Sequence, residues 1–528
     1  MLTKSTTLLR SPLAAVLLVF VLAVTAFAVL KAESAPHYRV SRESAIRIAR
    51  ADPRVAPVLT HRGYTSVRVD PLDQSKQRVS FFDGARLVVH AAVGSGRRVT
   101  HVAVRTPGSP MWGSRIANAS AVLIAMALLF VLAVATVPLL SLENLDVLAF
   151  ASFTLPVWLI NEGLIQASVI AAYPPLAYLM VRMLAFGLRG GGRASREPLL
   201  SHVASRLAPA ERRRVLRAVL AGTAAMITLV TVTSTGANDV AFAALAGATD
   251  LVHGVVPYGH IPGFVLHGDT YPLLTYALYV PAAAVMPVTD LFSDPQGALI
   301  VTAIATLLTA WGLHRLAGPR AALGWLAFPP VLLSASTGSN DVVLAACLVA
   351  VLATAAHRAR SALLLGVAAW VKVIPLLALP VWLARMNRRG VGQTLAGLAA
   401  LSAILGGWIV ALGGVTAIGS MLHALSFQLD RGSLSSLWVG LRAGDLQPVA
   451  EAAVLAAVAA ATAAVHRDRE LRTDLPRLAA LLTGIVLVSQ FAASYWTWAY
   501  LPWAIAPAIV VLTGRTRASS PGRPSPCR

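Results

Sequence analysis

The sequence predicts an all-α polytopic membrane protein of roughly 12–14 membrane helices, with a small α+β extracytoplasmic domain near its N-terminus. The chain of 528 residues is 57% hydrophobic and 13% charged, whereas soluble globular proteins carry about 25% charged residues. Runs of about 20 apolar residues, each long enough to cross a bilayer, recur along most of its length. The net charge of +21 resides mainly in short loops beside these runs, which indicates cytoplasmic loops rather than a nucleic-acid surface.

The first two segments are predicted to be an anchor and an outward-facing domain. Residues 1–32 read as a cytosolic stub and a signal-anchor helix, because Lys4 and Arg10 precede the apolar run 11–30; a cleavable signal peptide is the alternative. Residues 33–116 then combine a Ser-capped helical pattern at 41–50 with alternating segments separated by the turns 83–84 and 94–96. A helix followed by an antiparallel sheet predicts a compact α+β domain.

The opening helix of this domain resembles a known module. Residues 41–53 (SRESAIRIARADP) are similar to the first helix of PepSY domains. That resemblance implies an inhibitory or interaction role outside the cytoplasm.

The rest of the chain divides by hydropathy and charge. Residues 117–187 are predicted to form three membrane helices, 188–214 a basic cytoplasmic loop, 215–513 a membrane core and 514–528 a basic cytoplasmic tail. Between the outward positions Asp239 and Asp341 lie three apolar segments, so one of them must not cross; residues 271–286 and 321–336, both interrupted by proline, are the candidates. Residues 362–382 are expected to form two short helices that meet at Lys372.

The outer loop 235–271 is the first place to expect chemistry, because residues 238–272 contain no Lys or Arg. Asp239 follows the outer end of a membrane helix, where its carboxylate could take a proton from a substrate hydroxyl. The alternative is an ordinary helix-terminal or N-cap aspartate for the helix 240–252. Asp250 and Asp269 are rival bases. The loop histidines, including His260 and His267, do not match metal-ligand spacing.

A series of short motifs in and after this loop resembles glycosyltransferase family 87 of the GT-C superfamily over residues 215–513. The motifs are 239–242 (DVAF), 254–258 (GVVPY), 271–274 (YPLL), 338–341 (GSND), 366–375 (GVAAWVKVIP), 431–438 (RGSLSSLW) and 494–502 (SYWTWAYLP). The chain departs from the family pattern at Phe242 and Leu273, and it lacks a Gln-Tyr pair near the end.

The resemblance implies an inverting glycosyltransferase. It would move a hexose, with mannose as the expected sugar, from a polyprenyl monophosphate to an extracytoplasmic lipid, glycan or protein acceptor. The expected location is a bacterial plasma membrane, with the active site outside and the C-terminus in the cytoplasm. Neither a metal nor a nucleotide cofactor is expected, and nucleic acid is not an expected partner.

The resemblance and the residue chemistry together assign roles. The family's early aspartate is the catalytic base, which corresponds to Asp239. Lys372 and Arg431 are the expected phosphate clamp, because a lysine in an apolar run favours an anionic partner and arginine suits bidentate phosphate contact. The remaining expected substrate-binding residues are Tyr258, His260, His267, Tyr271, Asn340 and Asp341. The alternatives are a snorkelling or carbonyl-satisfied lysine and a plain exposed loop arginine.

Two other classes of function fit parts of the sequence. A transporter or flippase of a lipid-linked or small solute would also place polar residues in broken helices such as the one at Lys372. A catalytically inactive scaffold with a sensory outer domain is the third possibility, in which case the domain at 33–116 and not Asp239 would be essential.

Overall fold

The computed structural model describes residues 40–71, 76–84, 86–94, 96–104, 112–161, 164–190, 197–234, 238–261, 265, 267–289, 293–433 and 435–514. The predicted signal-anchor helix, the predicted cytoplasmic tail after residue 514 and residues 191–196 of the predicted basic loop lie outside these residues. All structural statements below concern the described ranges.

The N-terminal domain consists of two helices and one antiparallel sheet with strand order β1-β2-β3-β4. Its elements are α1 (Arg42–Ala51), α2 (Ala56–Arg62), β1 (Ser66–Pro71), β2 (Lys76–Asp83), β3 (Arg86–Gly94) and β4 (Val99–Val104). Ser41 caps α1, because its Oγ accepts a hydrogen bond from Ser44 N (3.2 Å). Alternate residues of the sheet, such as Phe81 and Val89, bury against α1. The predicted α+β domain is confirmed.

The membrane region is a bundle of helices that are mostly apolar all round. Within the described residues, seven helices are long and apolar enough to cross a membrane: Leu142–Ile160, Gln166–Arg189, Pro209–Val232, Gln296–Ala317, Arg388–Gly413, Gly444–Arg467 and Leu475–Ala492. Four shorter apolar helices accompany them: Ser120–Val134, Asp341–Ala353, Ile374–Leu383 and Trp498–Thr513. The predicted polytopic all-α class is confirmed.

The α-helices of the membrane region, in chain order, are α3 (Trp112–Asn118), α4 (Ser120–Val134), α5 (Leu142–Ala151), α6 (Thr154–Asn161), α7 (Ile165–Arg189), α8 (Leu199–Val203), α9 (Pro209–Val232), α10 (Asp239–Val252), α11 (Leu273–Ala277), α12 (Val280–Ala283), α13 (Gln296–Ala317), α14 (Pro319–Ala327), α15 (Pro329–Ser336), α16 (Asp341–Ala353), α17 (Arg358–Val371), α18 (Leu379–Leu383), α19 (Arg388–Gly413), α20 (Thr416–Asp430), α21 (Leu437–Gly440), α22 (Gln447–Arg467), α23 (Leu475–Ala492) and α24 (Leu501–Thr513).

The segment 271–286 does not cross the bundle. Gln296, at the start of α13, donates a hydrogen bond to Val232 O at the end of α9, so the chain leaves and re-enters at the same end. Asn238 N donates to Thr337 O (2.9 Å), which places the end of α15 there too. Because α14 and α15 return from the far end of α13 to Thr337, they complete a crossing despite the break at Phe328. Of the two candidates that the sequence leaves, 271–286 is therefore the segment that does not cross.

Residues 358–385 form a re-entrant segment, which enters and leaves at the same end of the bundle. Arg358 Nη1 donates to Arg385 O (2.7 Å), and Arg385 Nη2 donates to Ala355 O (2.5 Å). Between these anchors α17 rises only about 21 Å, less than the ~30 Å hydrocarbon core. It ends at Lys372, whose backbone is extended (φ −147°, ψ 139°), because Pro375 cannot continue the helix. The predicted meeting of two short helices at Lys372 is confirmed.

Candidate functional site

Five side chains predicted from separate motifs converge at the end of the bundle opposite the arginine-rich loops. We call Asp239, Tyr271, Asp341, Lys372 and Arg431 the outer polar cluster. Tyr271 interacts electrostatically with Arg431, Asp239 and Asp341, and Lys372 Nζ lies 5.6 Å from the centre of its ring. The fold therefore brings together residues that are up to 192 positions apart in the sequence.

Asp341 is a buried carboxylate, and both of its oxygens accept hydrogen bonds. It opens α16, where the helix dipole favours a negative charge, and only 2% of it is exposed. Its Oδ1 accepts hydrogen bonds from Lys372 Nζ and from Trp503 Nε1 (2.9 Å), and its Oδ2 accepts one from Ser339 Oγ. Asp341 is thus the structural partner of Lys372.

Lys372 sits at the tip of the re-entrant segment, buried to 8% exposure. Besides the ion pair with Asp341, its ammonium faces the rings of Tyr500 (5.2 Å) and Trp503 (4.9 Å). An aromatic cage of this kind stabilises a desolvated cation through the negative faces of the rings. A carboxylate and aromatic rings therefore satisfy the lysine, instead of the backbone carbonyls or the snorkelling of the alternative interpretation, and an anion bound here would share Lys372 with Asp341.

Arg431 follows the last residue of α20, and its guanidinium lies 3.4 Å from the centre of the Tyr495 ring. Its buried Nε has no hydrogen-bond partner among the described residues. Burial lowers the pKa of Arg431, but neighbouring tyrosines and the carboxylate of Asp239 outweigh burial and raise the pKa above its ordinary value. The arginine is therefore a permanently charged group with an unused donor, rather than a plain exposed loop residue.

Asp239 is the first residue of α10 but not its capping residue. The cap is Asn238, whose Oδ1 accepts a hydrogen bond from Ala241 N (3.0 Å). Asp239 is therefore helix-terminal, as the alternative interpretation predicts, but its interpretation as the N-cap is wrong. Asp239 is exposed, and its Oδ1 accepts a hydrogen bond from Val240 N (3.0 Å). No cation forms a salt bridge with it within the described ranges. Its carboxylate is thus free to accept a proton.

The predicted outer loop 235–271 contains a mostly buried helix, α10, and a tyrosine-rich support for Tyr271. Tyr258, predicted as pocket lining, is 1% exposed, and its OH donates to Tyr271 O (3.1 Å). Tyr276 OH accepts from Tyr271 N (3.2 Å) and donates to Gly268 O (2.7 Å). The two hydroxyls hold the backbone of Tyr271 in place. We infer that Tyr258 acts on the cluster through Tyr271.

The predicted loop histidines His260 and His267 contact Tyr258 and Phe427, respectively. His260 Nδ1 is 3.2 Å from Tyr258 O, and His267 stacks on Phe427 with ring centres 3.8 Å apart. Burial lowers the pKa of His267, with Arg98 and Arg431 acting in the same direction and Asp269 against them. His267 is thus a mainly neutral imidazole near the cluster at neutral pH.

Asn340 and Asp269, also named from the sequence, have contrasting environments. Asn340 is fully buried beside Asp341, and neither of its amide atoms has a hydrogen-bond partner in the described part of the chain. Asp269 Oδ2 accepts from Gly259 N (3.1 Å), where the positive φ of Gly259 (80°) requires glycine. Asp269 therefore ties the loop together.

The sequence predicts the aromatic wall of the site only in part. It offers Tyr495, Trp496, Trp498 and Trp503 as residues that could stack on a sugar, but it does not single out Tyr500. Tyr500 stacks on Trp503 with ring centres 4.3 Å apart, and the ring of Tyr495 lies against the guanidinium of Arg431. All three belong to residues 494–503, where five aromatic side chains fall within nine positions. That density is the signal, but on sequence alone it equally fits residues at a membrane interface.

Asp250, the other rival base, lies near the end of α10, outside the membrane-spanning segments. Its Oδ2 is buried without a hydrogen-bond partner among described residues. Burial raises the pKa of Asp250 to about 6, although His260 and His253 lower it. The charged form of Asp250 therefore destabilises the fold at neutral pH.

We expect Asp250→Asn to raise the melting temperature by about 2 °C at pH 7.5 and to leave it unchanged at pH 4. Because the folded pKa lies above the unfolded value of about 3.9, the wild type has its full stability below pH 4 and loses part of it as the pH rises through 6. Thermal unfolding of both proteins in detergent at pH 4, 6 and 7.5 measures the difference. A difference that does not change with pH would contradict this assignment.

No three His, Cys, Asp or Glu side chains converge as metal ligands within the described ranges. The expected independence from a metal stays a prediction, because it concerns the reaction rather than the fold.

Residues 270–494 match the family model described as Glycosyltransferase family 87. The matched region is similar to this glycosyltransferase family. It covers somewhat less than half of the chain, includes Tyr271, Asp341, Lys372 and Arg431, and begins after Asp239. The likeness of the N-terminal domain to PepSY modules lies outside it and stays a prediction. Neither the comparison with curated proteins nor that with solved structures gives a match.

Proposed function

We propose that this protein is a membrane glycosyltransferase that moves a hexose, mannose in the first instance, from a polyprenyl monophosphate to an extracytoplasmic lipid, glycan or protein acceptor. The observation that carries the proposal is the pairing of roles in the outer polar cluster. Asp239 is exposed and has no salt bridge to any described residue. It interacts electrostatically with Arg431, whose Nε has no hydrogen-bond partner among those residues. A base for the acceptor and a cation for the leaving group are what this reaction needs.

The chemistry follows from these two groups. Asp239 takes the proton of the acceptor hydroxyl while the acceptor oxygen bonds to the anomeric carbon. The bond from that carbon to the phosphate oxygen breaks, and the phosphate leaves with the electron pair. Attack opposite to the leaving group inverts the configuration. Arg431 stabilises the charge on the departing phosphate, and its stacking on Tyr495 fixes the guanidinium plane.

Lys372 contributes a second positive charge from its cage. Because Asp341 balances it at rest, the donor phosphate gains from Lys372 only by drawing the ammonium partly away from that carboxylate. This arrangement lowers the cost of keeping an unoccupied site, since a buried lysine without a counterion is strongly destabilising.

The distribution of charge favours an outward-facing site. No Lys or Arg occurs between Arg217 and Arg315, a stretch that includes Asp239, Tyr271 and the whole outer loop. The opposite end of the helices carries Arg358, Arg385 and the basic loops. By the positive-inside bias, the arginine-rich end lies in the cytoplasm and the cluster faces outward.

The role of Arg431 is tested by Arg431→Lys. Lysine keeps the charge but loses the planar, two-point contact and the stacking on Tyr495, so we expect the KM for the polyprenyl-phosphate donor to rise about tenfold, with a smaller change in kcat. The matched control is Arg442→Lys, at an exposed arginine in the same loop region. Initial rates at varied donor concentration give both constants. An unchanged donor KM in Arg431→Lys would remove Arg431 from the donor site.

A further inference from the structure

A groove large enough for a ligand lies at the end of the bundle opposite the outer polar cluster. The groove, of about 850 Å³, opens between α19 and α22, with residues of α18 along its floor. Its wall is apolar and includes Leu383, Val391, Leu455 and Val458, and its rim carries Arg388 and Arg467. We call it the inner groove, because it lies at the arginine-rich end of the bundle.

The inner groove has the length of one leaflet. Leu455 and Arg467 are twelve residues apart on α22, so the wall extends about 18 Å from the basic rim. Half of the hydrocarbon core of a bilayer is about 15 Å thick. Leu455 is 69% exposed, and an apolar side chain exposed on a membrane helix faces lipid. A groove that is apolar for this distance and basic only at its end matches one acyl chain with its headgroup.

The charges on the rim are available. Arg388 and Arg467 are exposed, and neither guanidinium forms an ion pair or hydrogen bond with the part of the chain that the structure describes. The nearest acidic residue in sequence, Asp468, is engaged by Arg477 Nη1 (2.7 Å). Arg388 also begins α19, where the helix dipole adds positive potential. The rim is therefore a net cationic site.

We propose that the inner groove binds an anionic phospholipid of the cytoplasmic leaflet, with its phosphate between Arg388 and Arg467 and an acyl chain along the wall. The proposal does not depend on the glycosyl-transfer reaction. It does have a consequence for the fold, because Pro380 and Leu383 of the groove belong to the re-entrant segment that presents Lys372. A bound lipid therefore packs against the base of that segment.

The test compares lipid binding by two double variants. Arg388→Gln/Arg467→Gln removes the two rim charges, whereas Arg389→Gln/Arg469→Gln removes two exposed charges from the same end that do not line the groove. Native mass spectrometry of the detergent-purified full chain, titrated with phosphatidylglycerol or phosphatidylcholine, measures the affinity. We expect the wild type to prefer phosphatidylglycerol, the rim variant to bind it at least about tenfold more weakly, and the control to resemble the wild type.

A third variant tests the wall independently of charge. Leu455→Trp fills the groove with a bulky side chain at a lipid-facing position, where the fold tolerates it, and should also weaken binding of phosphatidylglycerol. Equal losses in the rim variant and its control would show diffuse electrostatic attraction and overturn the proposal. Equal affinity of the wild type for the two lipids would overturn it as well.

Discussion

Asp239→Asn is expected to lower the rate of glycosyl transfer by about 10²–10⁴-fold without unfolding the protein. Asparagine keeps the size of the side chain and an oxygen for the hydrogen bond from Val240 N, but it cannot take a proton from the acceptor. The cap of α10 belongs to Asn238, so the helix start is preserved. Transfer rates and melting temperatures of the two purified proteins check both parts of this expectation.

The chain offers a matched control for this replacement. Asp294 is an exposed carboxylate just before α13, and its Oδ1 accepts a hydrogen bond from Gln296 N (3.1 Å), much as Asp239 does at α10. Asp294→Asn should therefore transfer sugar at the wild-type rate. If Asp239→Asn also retained that rate, the base would have to be sought elsewhere, and the scaffold interpretation would gain support.

The second large effect concerns the buried pair of Asp341 and Lys372. Asp341→Asn keeps acceptor and donor atoms near Trp503 and Ser339 but leaves the lysine without its counterion, which typically costs about 3–5 kcal/mol for a buried pair. Adding Lys372→Met removes the unpaired charge and should reverse most of the decrease in melting temperature. We expect the restored double variant to remain at least about 100-fold slower in transfer, because it lacks the second charge near the donor phosphate.

A second buried pair serves as the control. Arg182 Nε binds Asp146 Oδ1 at 2.8 Å between α7 and α5, in a part of the bundle that contributes nothing to the outer polar cluster. Asp146→Asn/Arg182→Met should leave the transfer rate per folded molecule near the wild-type value. Near-wild-type transfer by the Asp341→Asn/Lys372→Met protein would show that this pair serves only the fold.

Much of the fold could be predicted because the signals are local. Apolar runs and flanking arginines define the membrane class, and Lys372 followed by Pro375 marks the break in its segment within four residues. Counting segments also predicts that one of them fails to cross. Which one it is depends on the contact of Asn238 with Thr337 and of Gln296 with Val232, and such pairings between distant residues cannot be read from hydropathy.

In the candidate site, too, the residues could be predicted from the sequence but their contacts could not. Residue types and motif order pick out Asp239, Lys372 and Arg431, but their partners are set by tertiary packing. Lys372 contacts Asp341, which lies 31 positions before it in the sequence, and Trp503, which lies 131 positions after it. Tyr258 lies in a Gly- and Pro-rich stretch that predicts an exposed loop, yet the fold buries it beneath Tyr271. Burial of such a residue depends on what packs over it.

The central claim is transfer from a lipid monophosphate donor, and a donor comparison tests it most directly. Purified wild-type protein in liposomes would be given acceptor-containing membrane extract with radiolabelled mannose on polyprenyl phosphate or on a nucleotide. We predict that label enters a new product only from the polyprenyl donor, with inverted configuration and release of polyprenyl phosphate. Transfer from the nucleotide donor alone, or release of labelled donor across the bilayer without a new product, would contradict it.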